Sequence, residues 1–109
     1  MIRYTSKNGA DFVLLEFIAD IYLFKDNGGA MPGNGWSGMM PSFNMDGDLI
    51  ASRILCDKPL IKEQWHEVII QLPYGDKFEH IKGKLKNEYE FKLNIGGKVL
   101  GKGIIKCVE

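Results

Sequence analysis

Apolar residues take the odd positions Val13, Leu15, Phe17, Ala19, Ile21 and Leu23, while the acids between them, Glu16 and Asp20, take even ones. Strand side chains alternate between faces with a period of two, so this spacing predicts a long strand with one dry and one wet face. It ends at Lys25-Asp26-Asn27-Gly28-Gly29, and the chain up to Gly38 adds Pro32, Gly33, Asn34 and Gly35. That composition supplies positive φ and interrupts ladder pairing, so a long loop is expected there. Met40 to Asn44 predicts a further strand and Asp46-Gly47 a tight hairpin turn. Leu49 to Cys56 predicts another strand, with Ile50, Ile54 and Cys56 on one side and Ala51 and Arg53 on the other.

Lys58 to Gln64 separates that strand from Trp65 to Leu72, in which Val68, Ile70 and Leu72 alternate with Glu67 and Gln71. Pro73-Tyr74-Gly75-Asp76 predicts a turn. Ile81, Gly83 and Leu85 then alternate with Lys82, Lys84 and Lys86, and Tyr89, Phe91, Leu93 and Ile95 alternate with Glu90, Lys92 and Asn94. Gly96-Gly97 is a two-residue hairpin signal, and Lys98 to Val108 predicts the last strand. Within it, Gly101 and Gly103 mark a kink or the close approach of another backbone. No helical period of useful length occurs, apart from a single turn expected around Lys62 to Gln64. Short strands joined throughout by turn chemistry predict an all-β fold, a six-stranded antiparallel closed β-barrel, because open edges template pairing between chains. Residues 1–109 read as one domain, with 1–11 as a flexible N-terminal segment, and Trp65 is expected to anchor the barrel wall.

A chain of 109 residues holds one core, and 45% hydrophobic residues exclude disorder. Fourteen Lys and Arg balance fourteen Asp and Glu. This removes the whole-surface attraction of a dedicated nucleic-acid or acidic-membrane binder. The two cysteines, Cys56 and Cys107, lie far apart, whereas a small disulfide-stabilised domain carries roughly four to eight. A reducing cytoplasm is therefore the expected location. Glu16 and Asp20 interrupt the apolar run from Phe12 to Phe24, which reads as neither a targeting signal nor a membrane segment.

Four blocks carry a family resemblance: Phe17-Ile18-Ala19-Asp20-Ile21-Tyr22-Leu23, Lys25-Asp26-Asn27-Gly28-Gly29, Gly38-Met39-Met40-Pro41-Ser42-Phe43, and Gly96-Gly97-Lys98-Val99-Leu100-Gly101-Lys102-Gly103. In order and spacing the chain from Phe12 to Glu109 resembles the C-terminal β-barrel domain of elongation factor Tu and related translation GTPases. In that family the blocks read like F-x-A-x-V-Y-x-L with an acidic Gly-Gly loop, G-Y-R-P-x-F and G-G-R-T-V-G-x-G. The resemblance implies a six-stranded antiparallel barrel that contacts transfer RNA and partner factors. It implies no catalytic residue, because the family's chemistry belongs to a separate GTPase domain, and no G-x-x-x-x-G-K-[ST] loop occurs here. The chain departs from the pattern at Ala30 and Met31, where the family has an Arg-His pair, and at Met40, where it has Arg. Met offers neither the charge nor the planar donors that Arg gives a phosphate, so delivery of transfer RNA is not expected.

Met31, Trp36, Met39 and Met40 lie in the glycine-rich loop, where flexible thioethers beside one large aromatic suit either an adaptable protein contact or a cap on the barrel end. Lys82, Lys84 and Lys86 share a predicted strand face. Between Lys77 and Lys106 eight Lys face three Glu, so this face suits either a lysine-defended edge or RNA, with Lys98 at the family's matching basic position. Cys56, His66, His80 and Cys107 are zinc-ligating types without zinc spacing, and a Cys-His nucleophile lacks a flanking motif. Asp46-Gly47-Asp48 lacks the downstream ligands of a calcium loop. The expectation is thus a non-enzymatic binding module without cofactor or metal. Its partner is a protein, with a translation-related or immunity- and inhibitor-type role. An RNA-associated accessory protein is the alternative, and an enzyme assembled from distant strands the third.

Overall fold

The computed structural model describes residues 3–6, 13–73 and 83–107. They form one antiparallel sheet of eight strands: β1 (Arg3–Ser6), β2 (Val13–Leu23), β3 (Ser42–Met45), β4 (Asp48–Ala51), β5 (Arg53–Leu55), β6 (Trp65–Leu72), β7 (Glu90–Ile95) and β8 (Lys98–Cys107). Hydrogen bonds connect them in the order β4-β3-β7-β8-β2-β6-β5, with β1 added to β2. β1 lies inside the N-terminal segment that the sequence reading sets apart. Among the described residues there is no α-helix, and Lys62 to Gln64 form the expected turn. Among the described residues no helix is long and apolar enough to cross a membrane.

The long first pattern folds as its spacing demands. Leu15, Phe17, Ala19, Ile21 and Leu23 are buried and the even residues from Glu16 to Tyr22 are half-buried. Val68, Ile70 and Leu72 of β6 and Ile50 and Ile54 of β4 and β5 join the same core. At its centre the Phe43 ring lies 5.7 Å from Phe17 and 4.6 Å from Phe91. Asp46 and Gly47 take φ of 53° and 97° and close the β3–β4 hairpin as expected.

The architecture differs from a closed six-stranded barrel. The expected strand from Leu49 to Cys56 breaks at Ser52, whose hydroxyl donates to the Pro41 carbonyl at 2.5 Å. Its first half pairs with β3 and its second with β6, so the ladder ends at β4 on one side and β5 on the other as a curled half-barrel. The two ends are consecutive in the chain. The outer side of β5 takes two backbone bonds from the long loop: Gly38 N–H donates to the Ile54 carbonyl (2.6 Å), and Ile54 N–H donates to the Met39 carbonyl (2.9 Å).

Three further expectations change. The register of β7 on β8 slips between Leu93 and Asn94: their partners are Gly101 and Val99, so β8 advances two residues where β7 advances one. The alternation therefore loses phase: Asn94 is buried and Ile95 exposed. Trp65 does not anchor the wall; in β6 the even residues point inward, which leaves this odd one about half exposed. The described part of the predicted strand from Ile81 to Lys86 is no strand. Gly83 and Lys84 form a turn, and a second turn ends where Glu88 N–H donates to Ile105 and Tyr89 N–H to Lys86.

Candidate functional site

The glycine-rich loop is held to the sheet by its own side chains. Asn27 is buried, accepts a hydrogen bond from Met31 N–H at 3.2 Å and donates to the Met31 carbonyl at 2.9 Å. Lys62 Nζ donates to the same carbonyl at 2.5 Å. Further along, Gly35 and Leu60 exchange backbone bonds of 2.9 and 3.0 Å, and the Ser37 hydroxyl accepts from Cys56 N–H at 3.0 Å. Met31 and Met39 are 3% exposed and belong to the core, whereas Trp36 is 55% and Met40 70% exposed. The four candidates thus divide: two methionines seat the loop, and the other two side chains stand in solvent.

Asn27→Ala leaves Met31 N–H buried without its partner, while Lys62 still serves the carbonyl. Loss of about 1–3 kcal/mol is expected from that buried, unpaired donor. A thermal melt checks it, since each kcal/mol corresponds to roughly 4–8 °C in a domain near this size.

The described lysine candidates have different surroundings. Lys82 lies outside the described residues. Lys84 is half-buried and pairs with Asp46 at 2.9 Å. The hydrogen bond and charge of Lys84 hold the Asp46 carboxyl below its ordinary pKa, and Asp46 in turn raises that of Lys84. Lys86 is exposed, and Lys98 Nζ donates to the Gly28 carbonyl at 2.7 Å.

Chemistry-bearing residues are likewise dispersed. His66 meets the Ile61 carbonyl through Nε2 at 3.0 Å, while Cys56 lines a separate hollow with Ser37, Leu55, Asp57 and Glu67. His80 and the side chain of Cys107 lie outside the described residues. Among the described residues no group of three His, Cys, Asp or Glu side chains could hold a metal ion.

Neither a protein-family model nor a curated protein matches the chain. The surface itself must therefore carry the functional reading.

One feature that the sequence reading passes over lies on the outer face. Tyr22 of β2 is flanked by Trp65 of β6, its register partner, with ring centroids 5.4 Å apart. Phe24 stands 6.0 Å from Tyr22 on the other side. Lys102 of β8, also in register with Tyr22, holds Nζ 5.4 Å from the Tyr22 centroid and 5.6 Å from that of Trp65. A hydrogen bond with Glu63 raises the pKa of the Tyr22 hydroxyl. The available signal was parity: Tyr22 and Lys102 are even in stretches whose odd neighbours are buried, and Trp65 is odd in the strand whose even residues point inward.

Proposed function

We propose that this chain is a cytoplasmic, non-enzymatic binding module, like the C-terminal barrel of elongation factor Tu, that contacts a protein partner through Trp36 and Met40. The observation that carries the reading is the division of the loop: Met31, Met39 and Asn27 are buried while a tryptophan and a methionine beside them are more than half exposed. Exposed aromatic and thioether side chains on an ordered base suit a protein surface, because the tryptophan offers a large rigid contact, the methionine adapts to its partner, and the backbone beneath is already ordered. The resemblance is supported by the pairing of two of its blocks, since residues 19–23 lie in register against 101–105. The bonds of Ile54 to Gly38 and Met39 support a barrel-like closure across the seam. Occupying a partner's docking surface in the manner of such a barrel is the action expected of an inhibitor or immunity-type protein.

Affinity capture from native lysate, with and without ribonuclease, tests this. A protein retained by the wild-type chain, resistant to ribonuclease and lost with the Trp36→Ala, Met40→Ser double variant is the expected result. Capture that disappears with ribonuclease assigns the partner to RNA instead, and retention by the double variant removes the proposed surface.

A further inference from the structure

A second surface, independent of the Trp36 loop, has a different chemistry. A cleft of about 460 Å³ opens on the outer face, lined by Trp65, Lys102, Ile104, Glu90, Lys92 and Asn44 together with the Asp46-Gly47 turn. Its size falls within the roughly 300–1,000 Å³ of small-ligand sites. Lys92 and Lys102 are register partners across β7 and β8, and Asn44 of β3 is the register partner of Lys92.

Like charges directly opposite on adjacent strands repel, with Cβ atoms roughly 5 Å apart. Among the described residues neither Lys92 nor Lys102 has an ion pair. Asp46, which also lines the cleft, is already paired with Lys84. Glu90 is two residues along from Lys92 on the same face and opposite Ile104, so it lies at the rim of the lysine pair without being the register partner of either lysine. Two lysines from register-paired positions thus give the cleft positive charge that can attract an anion. The attraction of Lys102 to the Tyr22 and Trp65 rings is electrostatic and uses up none of its N–H donors, so these remain for an oxyanion. Beside it, the half-exposed Trp65 ring, braced by Tyr22, is a flat platform.

An aromatic face next to two cations complements a planar base carrying a phosphate. We propose that this cleft binds a nucleotide, with the base stacked on Trp65 and the phosphate held by Lys92 and Lys102. The Asn44 side chain donates one N–H to Asn94 at 3.1 Å and accepts from Gly47 N–H at 2.8 Å, which fixes its orientation. Recognition of the base is chiefly by stacking.

Free nucleotide and single-stranded nucleic acid share this chemistry. The test uses the whole chain with adenosine monophosphate, adenosine and labelled octa-adenylate as probes, read by amide chemical shifts and by anisotropy. Saturable binding of the monophosphate, tighter than that of adenosine, is expected. The advantage should vanish in the Lys92→Gln, Lys102→Gln double variant. Trp65→Leu should weaken all three probes, by the roughly 5- to 150-fold associated with loss of one stacked base. Octa-adenylate binding much more tightly than the monophosphate assigns the site to a strand, with affinity falling roughly 7-fold between about 50 and 200 mM salt for two phosphate contacts. Equal binding assigns it to the free nucleotide. Absence of saturation by any probe, or binding unchanged in both variants, overturns the proposal. Because the two variants act on different groups, a folding defect in one leaves the other to decide.

Discussion

Phe43→Ala should remove about 3–5 kcal/mol of stability, the range for truncating a buried aromatic, against a typical total of roughly 5–15 kcal/mol. Phe43 is fully buried, and it is the middle ring of three: it meets Phe91 of the neighbouring β7 and Phe17 of β2, a strand that pairs with neither β3 nor β7. The trio can meet because β8, which runs between β2 and β7, presents Gly103 opposite Phe91. A Cβ at Gly103 would fall 2.3 Å from the Phe91 ring, so the ring occupies the space that a side chain there would take. Alanine at 43 leaves a cavity touching both other rings, and closing it would require the curled sheet to flatten. Denaturant titration should show the midpoint falling with an unchanged slope. Phe43→Leu, which retains most of the volume, should lose much less. A loss below about 1 kcal/mol for the alanine variant would mean that the three rings are not what holds the curl.

The second large effect concerns Gly101. A Cβ added there would lie 2.6 Å from the Tyr22 carbonyl oxygen and 3.3 Å from the Leu23 Cα. Both are backbone atoms of β2, and Gly101 is in register with Leu23, so no side-chain rotation relieves the clash. The two strands must separate where β2, the strand with three ladder partners, joins β8. Gly101→Ala should therefore cost toward the top of the ~1–3 kcal/mol typical of overpacking, or more, lowering the melting temperature by more than about 10 °C. Gly97→Ala is the control, since nothing lies within 4 Å of its added Cβ and a change within about 0.5 kcal/mol is expected.

These two sites also mark where sequence was a good guide. Residues 15–23 alternate without interruption, and the sheet buries their odd members because a period of two leaves no other face for them. Gly101 and Gly103 could be read as points of close approach because a strand gains nothing else from glycine. What was illegible came from tertiary geometry. Nothing local to Leu49–Cys56 announces the break at Ser52, which depends on a bond to Pro41, eleven residues earlier. The phase slip at Leu93/Asn94 belongs to the pairing with β8, so β7 read alone placed Ile95 inside and Asn94 outside. The lysines at 84 and 86 mimicked strand alternation, yet the chain there turns back toward Ile105.

The loop candidates were found by composition, which cannot distinguish a methionine that seats a loop from one that projects from it. That distinction rests on Asn27, whose side chain substitutes for a backbone turn by serving both the N–H and the carbonyl of Met31. The Trp65–Tyr22–Lys102 cluster spans three strands whose order on the sheet was not encoded in any one segment.

Titrating the captured protein against wild-type chain and Trp36→Ala, with thermal melts of both run in parallel, tests the central claim most directly. The account predicts a Kd at least ~10-fold weaker for the variant, as for a hot-spot residue, with the melting temperature essentially unmoved. A variant that melts much earlier yet binds with the same Kd would make Trp36 a structural cap and contradict the assignment of this loop as the docking surface.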